Sequence, residues 1–180
     1  MKKIFLLTIL LWGNQLLAQD YCKQLKKEVT ENNTSFNYET PYSEDAPPAI
    51  RAVRNYSTNS DLEYDNFNVI FFIPCEFGDF LVKDAAGNET EKEETGLIIE
   101  FDDKSKIKAD TIVVTHDRRD AGSAARIAYL PVTRENLATL TTKKIVKFHL
   151  AKAEAVVTPE MAAAMQQYLI CLKAVKKFLG

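Results

Sequence analysis

The chain has 180 residues, 46% of them hydrophobic and 27% charged, and its 23 basic and 25 acidic residues leave a formal charge of −2. That length suits one domain able to bury a core of its own. With no basic surplus to neutralise a phosphate backbone, nucleic acid is not an expected partner.

The N-terminus reads as an address. Lys2 and Lys3 precede an apolar run from Ile4 to Trp12 that only Thr8 interrupts, and Leu16-Leu17-Ala18-Gln19 follows as a cleavage region. The run is far shorter than the roughly 20 residues that cross a bilayer. Residues 1–19 are therefore expected to be a removed signal peptide, and residues 20–180 a single globular domain, periplasmic or secreted. Losing Lys2 and Lys3 takes the formal charge from −2 to about −4. No later segment is apolar enough for a transmembrane span. Gln19-Asp20-Tyr21 ahead of Cys22 lacks the small residues that precede a lipidated cysteine.

Three cysteines allow at most one internal pair. Linking Cys22 to Cys171 would join the two ends of the mature chain, with a loop-entropy benefit of roughly 4 to 5 kcal/mol. Cys75 would then remain a free thiol. Pairing of Cys75 with either of the others is the open alternative.

In chain order, Asp20 to Thr30 reads as a short helix, with Leu25 and Val29 four apart. Phe36, Tyr38 and Thr40 alternate with polar residues as a strand, and Ala49 to Tyr56 is a second. Phe67 to Ile73, apolar on both faces and followed by Pro74, suits a central strand. Glu76 to Val82 is its expected hairpin partner, and the charged run from Asp84 to Thr95 a solvated loop. Leu97, Ile99 and Phe101 alternate cleanly. A turn at Asp102 to Ser105 leads to a return strand opening at Ile107, and Thr111 to Thr115 is β-branched. A polar loop spans Asp117 to Ser123, and Arg126 to Val132 is another strand. Thr133 is a candidate N-cap for a helix through Leu140, and Lys144 to Leu150 a strand.

Thr158-Pro159-Glu160 has the form of a helix start. Met161, Met165, Tyr168, Leu172, Val175 and Leu179 then recur in one apolar stripe. Such a stripe needs a sheet to cover, which defines an α+β fold: a mainly antiparallel β-sheet or sandwich with a C-terminal amphipathic helix packed on it.

Chemistry is harder to find. Cys75, His116 and His149 are the one set that could supply a nucleophile and a base, but Glu76 beside Cys75 would raise its pKa, against activation. The two histidines lack metal-ligand spacing, and Asp102 to Lys106 lacks the oxygen pattern of a calcium loop. No phosphate-cradling glycine loop, dinucleotide fingerprint or nucleophile elbow occurs. No catalytic, cofactor-binding or metal residue is therefore assigned, and no cofactor is expected. Asn33, Asn55 and Asn88 begin N-glycosylation sequons in form.

Several short stretches together carry a resemblance: Ala18-Gln19 at the cleavage region, Asp20-Tyr21-Cys22, Leu130-Pro131-Val132-Thr133 leading to Leu137, Lys143 to Phe148, and Tyr168 to Leu172. In these the chain resembles small uncharacterised exported proteins of the Bacteroidota. The resemblance implies export, supports a Cys22–Cys171 link and carries no activity. Asp110-Thr111-Ile112 likewise resembles the O-glycosylation site of such exported proteins, with Thr111 as the acceptor. The expected function is a non-catalytic module acting through contacts with a protein or an envelope component. The aromatic stretch from Phe67 to Phe80 is the first place to look for an exposed patch. The alternatives are a small-ligand binder or enzyme whose site assembles only in three dimensions, and an immunity or inhibitor protein.

Overall fold

The computed structural model describes residues 20–30, 34–41, 49–59, 64–118 and 123–175. The expected signal peptide, Asn33, most of the 117–123 loop and Leu179 lie outside the described residues. Among the described residues, nine strands form one antiparallel sheet in the order β1-β2-β3-β4-β9-β8-β7-β10-β11. These are β1 (Lys26–Val29), β2 (Ser35–Glu39), β3 (Ala49–Ser57), β4 (Asp65–Glu76), β7 (Glu94–Phe101), β8 (Lys106–Arg118), β9 (Ser123–Pro131), β10 (Ile145–Leu150) and β11 (Ala153–Val156). A separate hairpin pairs β5 (Leu81–Lys83) with β6 (Glu89–Glu91). The helices are α1 (Arg134–Thr142) and the C-terminal α2 (Pro159–Ala174), which packs against β3, β10 and α1.

The sheet is rolled. β4 and β10 lie four strand spacings apart along it, roughly 19 Å if it were flat, yet the rings of Phe71 and Phe148 are 5.0 Å apart. Phe67, Val69, Phe71, Leu97, Ile99, Phe101, Phe148 and Leu150 line the concave face, each at most 3% exposed. Rolling brings these side chains into one core that α1 and α2 close, removing their apolar area from water. A smaller cluster of Ala49, Ile70, Phe72, Ala125 and Ile127 lies on the convex face.

Backbone irregularities support the curvature. Thr95 pairs with Val113 and Leu97 with Ala109, so Asp110, Thr111 and Ile112 of β8 stand opposite Gly96 alone. Gly96 adopts φ +103°, which only glycine accepts cheaply. Such a bulge bends a strand and increases its twist. A second irregularity between Ile145 and Lys147 turns Ile145 inward together with Phe148 and Leu150.

The C-terminal helix is held at both ends. The Thr158 side chain accepts a hydrogen bond from the Met161 amide (3.2 Å), with Pro159 in the first turn. At the far end, Cys171 is disulfide-bonded to Cys22, and the Tyr168 hydroxyl donates to Gln24 (2.6 Å). Arg54, fully buried on β3, donates to the carbonyls of Leu172 (2.6 Å) and Lys173 (3.3 Å), the negative end of the helix dipole. The buried stripe is wider than the spacing predicts, adding Ala162 and Leu169 to Met165, Tyr168 and Leu172.

Four expectations need correction. Asp20 to Thr30 is not one helix: a helical turn at residues 20–23 gives way to β1, whose Val29 and Lys27 pair with Phe36 and Tyr38. Edge pairing thus wins over a marginal helical spacing. Glu76 to Val82 does not return along β4. Phe77–Phe80 forms a 3₁₀ turn, and β9 takes the place beside β4. Pro74 does not end β4, which stays paired with β9 through Glu76, while the ladder to β3 is described as far as Phe72. The run from Asp84 to Thr95 is a loop only up to Asn88, since β6 and the start of β7 fall within it.

Candidate functional site

Glu94, His116 and Arg126 meet on the concave side at one end of the sheet. Ladder pairing sets Ile73, Arg126 and His116 in a row across β4, β9 and β8, with Glu94 opposite Val114 on β7. One Glu94 oxygen, Oε2, accepts from Arg126 Nε (2.9 Å) and lies 3.3 Å from His116 Nε2. All three side chains are buried, at 6%, 4% and 11% exposure for Glu94, His116 and Arg126. The 3₁₀ turn forms the lid. Phe80, wholly buried, lies flat on the imidazole with ring centroids 4.0 Å apart. Arg118 stacks on Phe77 and pairs with Glu91 of the hairpin at 2.7 Å.

Burial pushes the Glu94 carboxyl up, but the hydrogen bonds from Arg126 and His116 outweigh it and the net direction is down. Glu94 is thus an ionised clamp between two donors. Its inward position depends on the bulge. In unbroken alternation from Leu97, Thr95 would face the core and Glu94 would face water; Gly96 shifts the phase by one.

Cys75 lies on the same face, is half-buried, and carries the free thiol. It pairs with Ala124, so strand β9 and the Arg126 side chain stand between it and His116, about two strand spacings or 10 Å away. Burial pushes the thiol up, Arg126 offsets part of this, and Asp79 and Glu94 add to the rise. A thiolate nucleophile requires the opposite shift. His149 is farther away still, on β10 and the convex side, 3.6 Å from Glu154. The structure does not bring the three residues of the nucleophile-and-base set together. Among the described residues, no group of three or more His, Cys, Asp and Glu side chains could hold a metal ion.

The aromatic stretch from Phe67 to Phe80 is not a surface patch. Phe67, Phe71, Phe72 and Phe80 are all buried. Thr111 is exposed in the β8 bulge, beyond the stretch of β8 that pairs with β9.

A second locus has no counterpart in the sequence reading. On the convex side of β1 to β4 lies an open cavity of about 390 Å³. Across it, Glu28 pairs with Asn37, Asn37 with Asn55, and Asn55 with Asn66. These four polar side chains share one face and form a row some 14 Å long at the usual strand spacing. Tyr64, 39% exposed, stands at the Asn66 end, and Thr30 and Ser35 also line the cavity. In the sequence these asparagines are single polar letters in three different strands, and only the register aligns them.

Comparison with known protein families, with curated proteins and with solved structures finds no match to this chain.

Proposed function

We propose that this chain is an exported, non-catalytic module that acts by contact with an envelope component, in the periplasm or outside the cell. The observation that carries the reading is the contrast between the two polar loci. The buried Glu94–His116–Arg126 cluster is covered by Phe80 and consumed by mutual pairing, whereas the polar cavity over β1 to β4 is open. A pocket of a few hundred Å³ has the size of a ligand site, in which a few placed polar groups set orientation and specificity. Export is supported by the N-terminal pattern and by the Cys22–Cys171 disulfide, a bond that persists in oxidising compartments. No described helix is long and apolar enough to cross a membrane.

The test has two parts. The full chain, expressed with its own leader in a Gram-negative host, is expected in the periplasm or medium with a new N-terminus near Gln19 or Asp20. Recovery in the cytoplasm with Met1 retained would refute export. The recovered protein is then expected to co-sediment saturably with isolated envelopes; absence of retention would refute the contact reading.

A further inference from the structure

We infer that the cavity over β1 to β4 binds a neutral, polyhydroxylated ligand, an oligosaccharide, along the Glu28–Asn37–Asn55–Asn66 row. The inference rests on the contact-module reading and names the chemistry of the component contacted.

The register of the row is the strongest indication, and Asn37 is fixed within it. Its Nδ2 group lies 3.4 Å from Glu28 Oε2 and 3.0 Å from Glu39 Oε1. Two carboxylates on that side determine which end of the amide is nitrogen. The carbonyl Oδ1 must then point away from them, and it is buried without a hydrogen-bond partner. That oxygen is closed to a ligand, so Asn37 is held in the row by its two carboxylates, and the amides that can meet a ligand are those beside it. Beside it, the Asn55 and Asn66 side chains make no hydrogen bond among the described residues. Each amide offers two donors and an acceptor, which matches the dual character of a sugar hydroxyl.

Other ligand chemistries fit less well. Among the described residues no Lys, Arg or His lines the cavity, and Glu28 repels an anion. Glu28 is already paired with Lys26 at 2.7 Å, so one compensated carboxylate does not make a cation site. An apolar ligand would strand the amides without partners. The strand spacing of about 4.8 Å repeats each amide at an interval of the order of one pyranose ring, so an extended glycan can meet successive strands with successive sugars. Tyr64 adds an aromatic face with a polar tip at the end of the row.

The experiment is a titration of the recovered, isotope-labelled protein, observed through its side-chain amide resonances. The probes are a β-1,4-linked N-acetylglucosamine tetrasaccharide, cellotetraose and an uncharged tetrapeptide. Saturable shifts confined to the amides of Asn55 and Asn66 with either saccharide are expected. Asn55→Ala combined with Asn66→Ala should weaken that binding about ten- to thirtyfold, at two neutral hydrogen bonds of roughly 1 kcal/mol each, with an unchanged melting temperature. No saturable shift with either saccharide, shifts with the peptide alone, or undiminished binding by the double variant would each overturn the inference. Envelope retention that persists after the saccharides fail would overturn the ligand class and leave the contact reading standing; loss of retention with saccharide binding intact would do the reverse.

Discussion

Arg54 and Asp65 form a two-point ion pair, Nε to Oδ1 at 2.9 Å and Nη2 to Oδ2 at 2.8 Å, with side chains 0% and 8% exposed. The same guanidinium reaches the last carbonyls of α2, so one side chain joins β3, β4 and the helix terminus. Only Arg offers a planar fork with donors enough for both tasks. Arg54→Met strands a buried carboxylate and should cost about 3 to 5 kcal/mol, read as a lower urea midpoint. Adding Asp65→Leu removes the stranded charge and should restore most of that loss. A double variant no more stable than Arg54→Met would show that the carbonyl contacts, and not the ion pair, set the cost.

Cys22 and Cys171 are 149 residues apart in sequence, so their bond constrains most of the unfolded chain. The loop-entropy argument gives up to about 5 kcal/mol for such a loop, and removal of native disulfides typically costs about 2 to 5. Cys22→Ser with Cys171→Ser should fall in that range by chemical denaturation. The helix should still dock at low temperature, because Arg54 and the Tyr168–Gln24 bond hold it independently. Loss of the Tyr168 near-ultraviolet signal in the folded double variant would contradict this.

The chain's local patterns carry the fold class but not the site. Thr158-Pro159, the alternation of Leu97, Ile99 and Phe101, and the apolar stretch from Phe67 to Ile73 each produce their element through neighbouring residues alone. Glu94 stands at the end of a charged run, and its burial follows from a bulge whose flanking pairs, Thr95 with Val113 and Leu97 with Ala109, are far apart in the chain. Lys27 and Val29 become an edge strand only because Phe36 and Tyr38 are there to pair with. The asparagine row requires the registers of three strand pairs at once. Period and propensity hold no information of that range.

Gly96 tests the bulge directly. Space is not the constraint, since a Cβ there would meet nothing within 4 Å. The backbone is: φ +103° is costly for any other residue, at about 1 to 3 kcal/mol. Gly96→Ala should lower the melting temperature accordingly, and, because the phase of β7 depends on this residue, should also weaken protection of the Glu94 amide in hydrogen exchange. A substitution neutral in both measurements would show that the bulge does not depend on glycine.

The Cys75 thiol, raised by burial and by Asp79 and Glu94, should behave as an unreactive cysteine. Alkylation by iodoacetamide at neutral pH should be slower in the folded protein than in urea, and should increase as pH rises past the ordinary thiol range of about 8.5. Fast alkylation of the folded protein at pH 7 would identify an activated thiolate and reopen a catalytic reading of this end of the sheet.

Glu94 sets the acid limit of the same region. Its folded pKa lies below that of the unfolded carboxylate, about 4.3. Below its ordinary pKa, the unfolded chain therefore binds a proton that the folded chain still excludes, and stability rises with pH across that window. The contribution is fully present above about pH 5 and is lost as pH falls through the folded value. Glu94→Gln keeps the shape but exchanges charge-assisted bonds to Arg126 and His116 for neutral ones, a loss of about 1.5 to 3 kcal/mol at neutral pH. Toward pH 3 the difference between wild type and variant should shrink, because the unfolded wild-type chain then binds a proton that folding has to remove. Paired denaturation curves at pH 7 and pH 3 measure it, and a difference that stays constant would mean that folding leaves the Glu94 pKa unshifted.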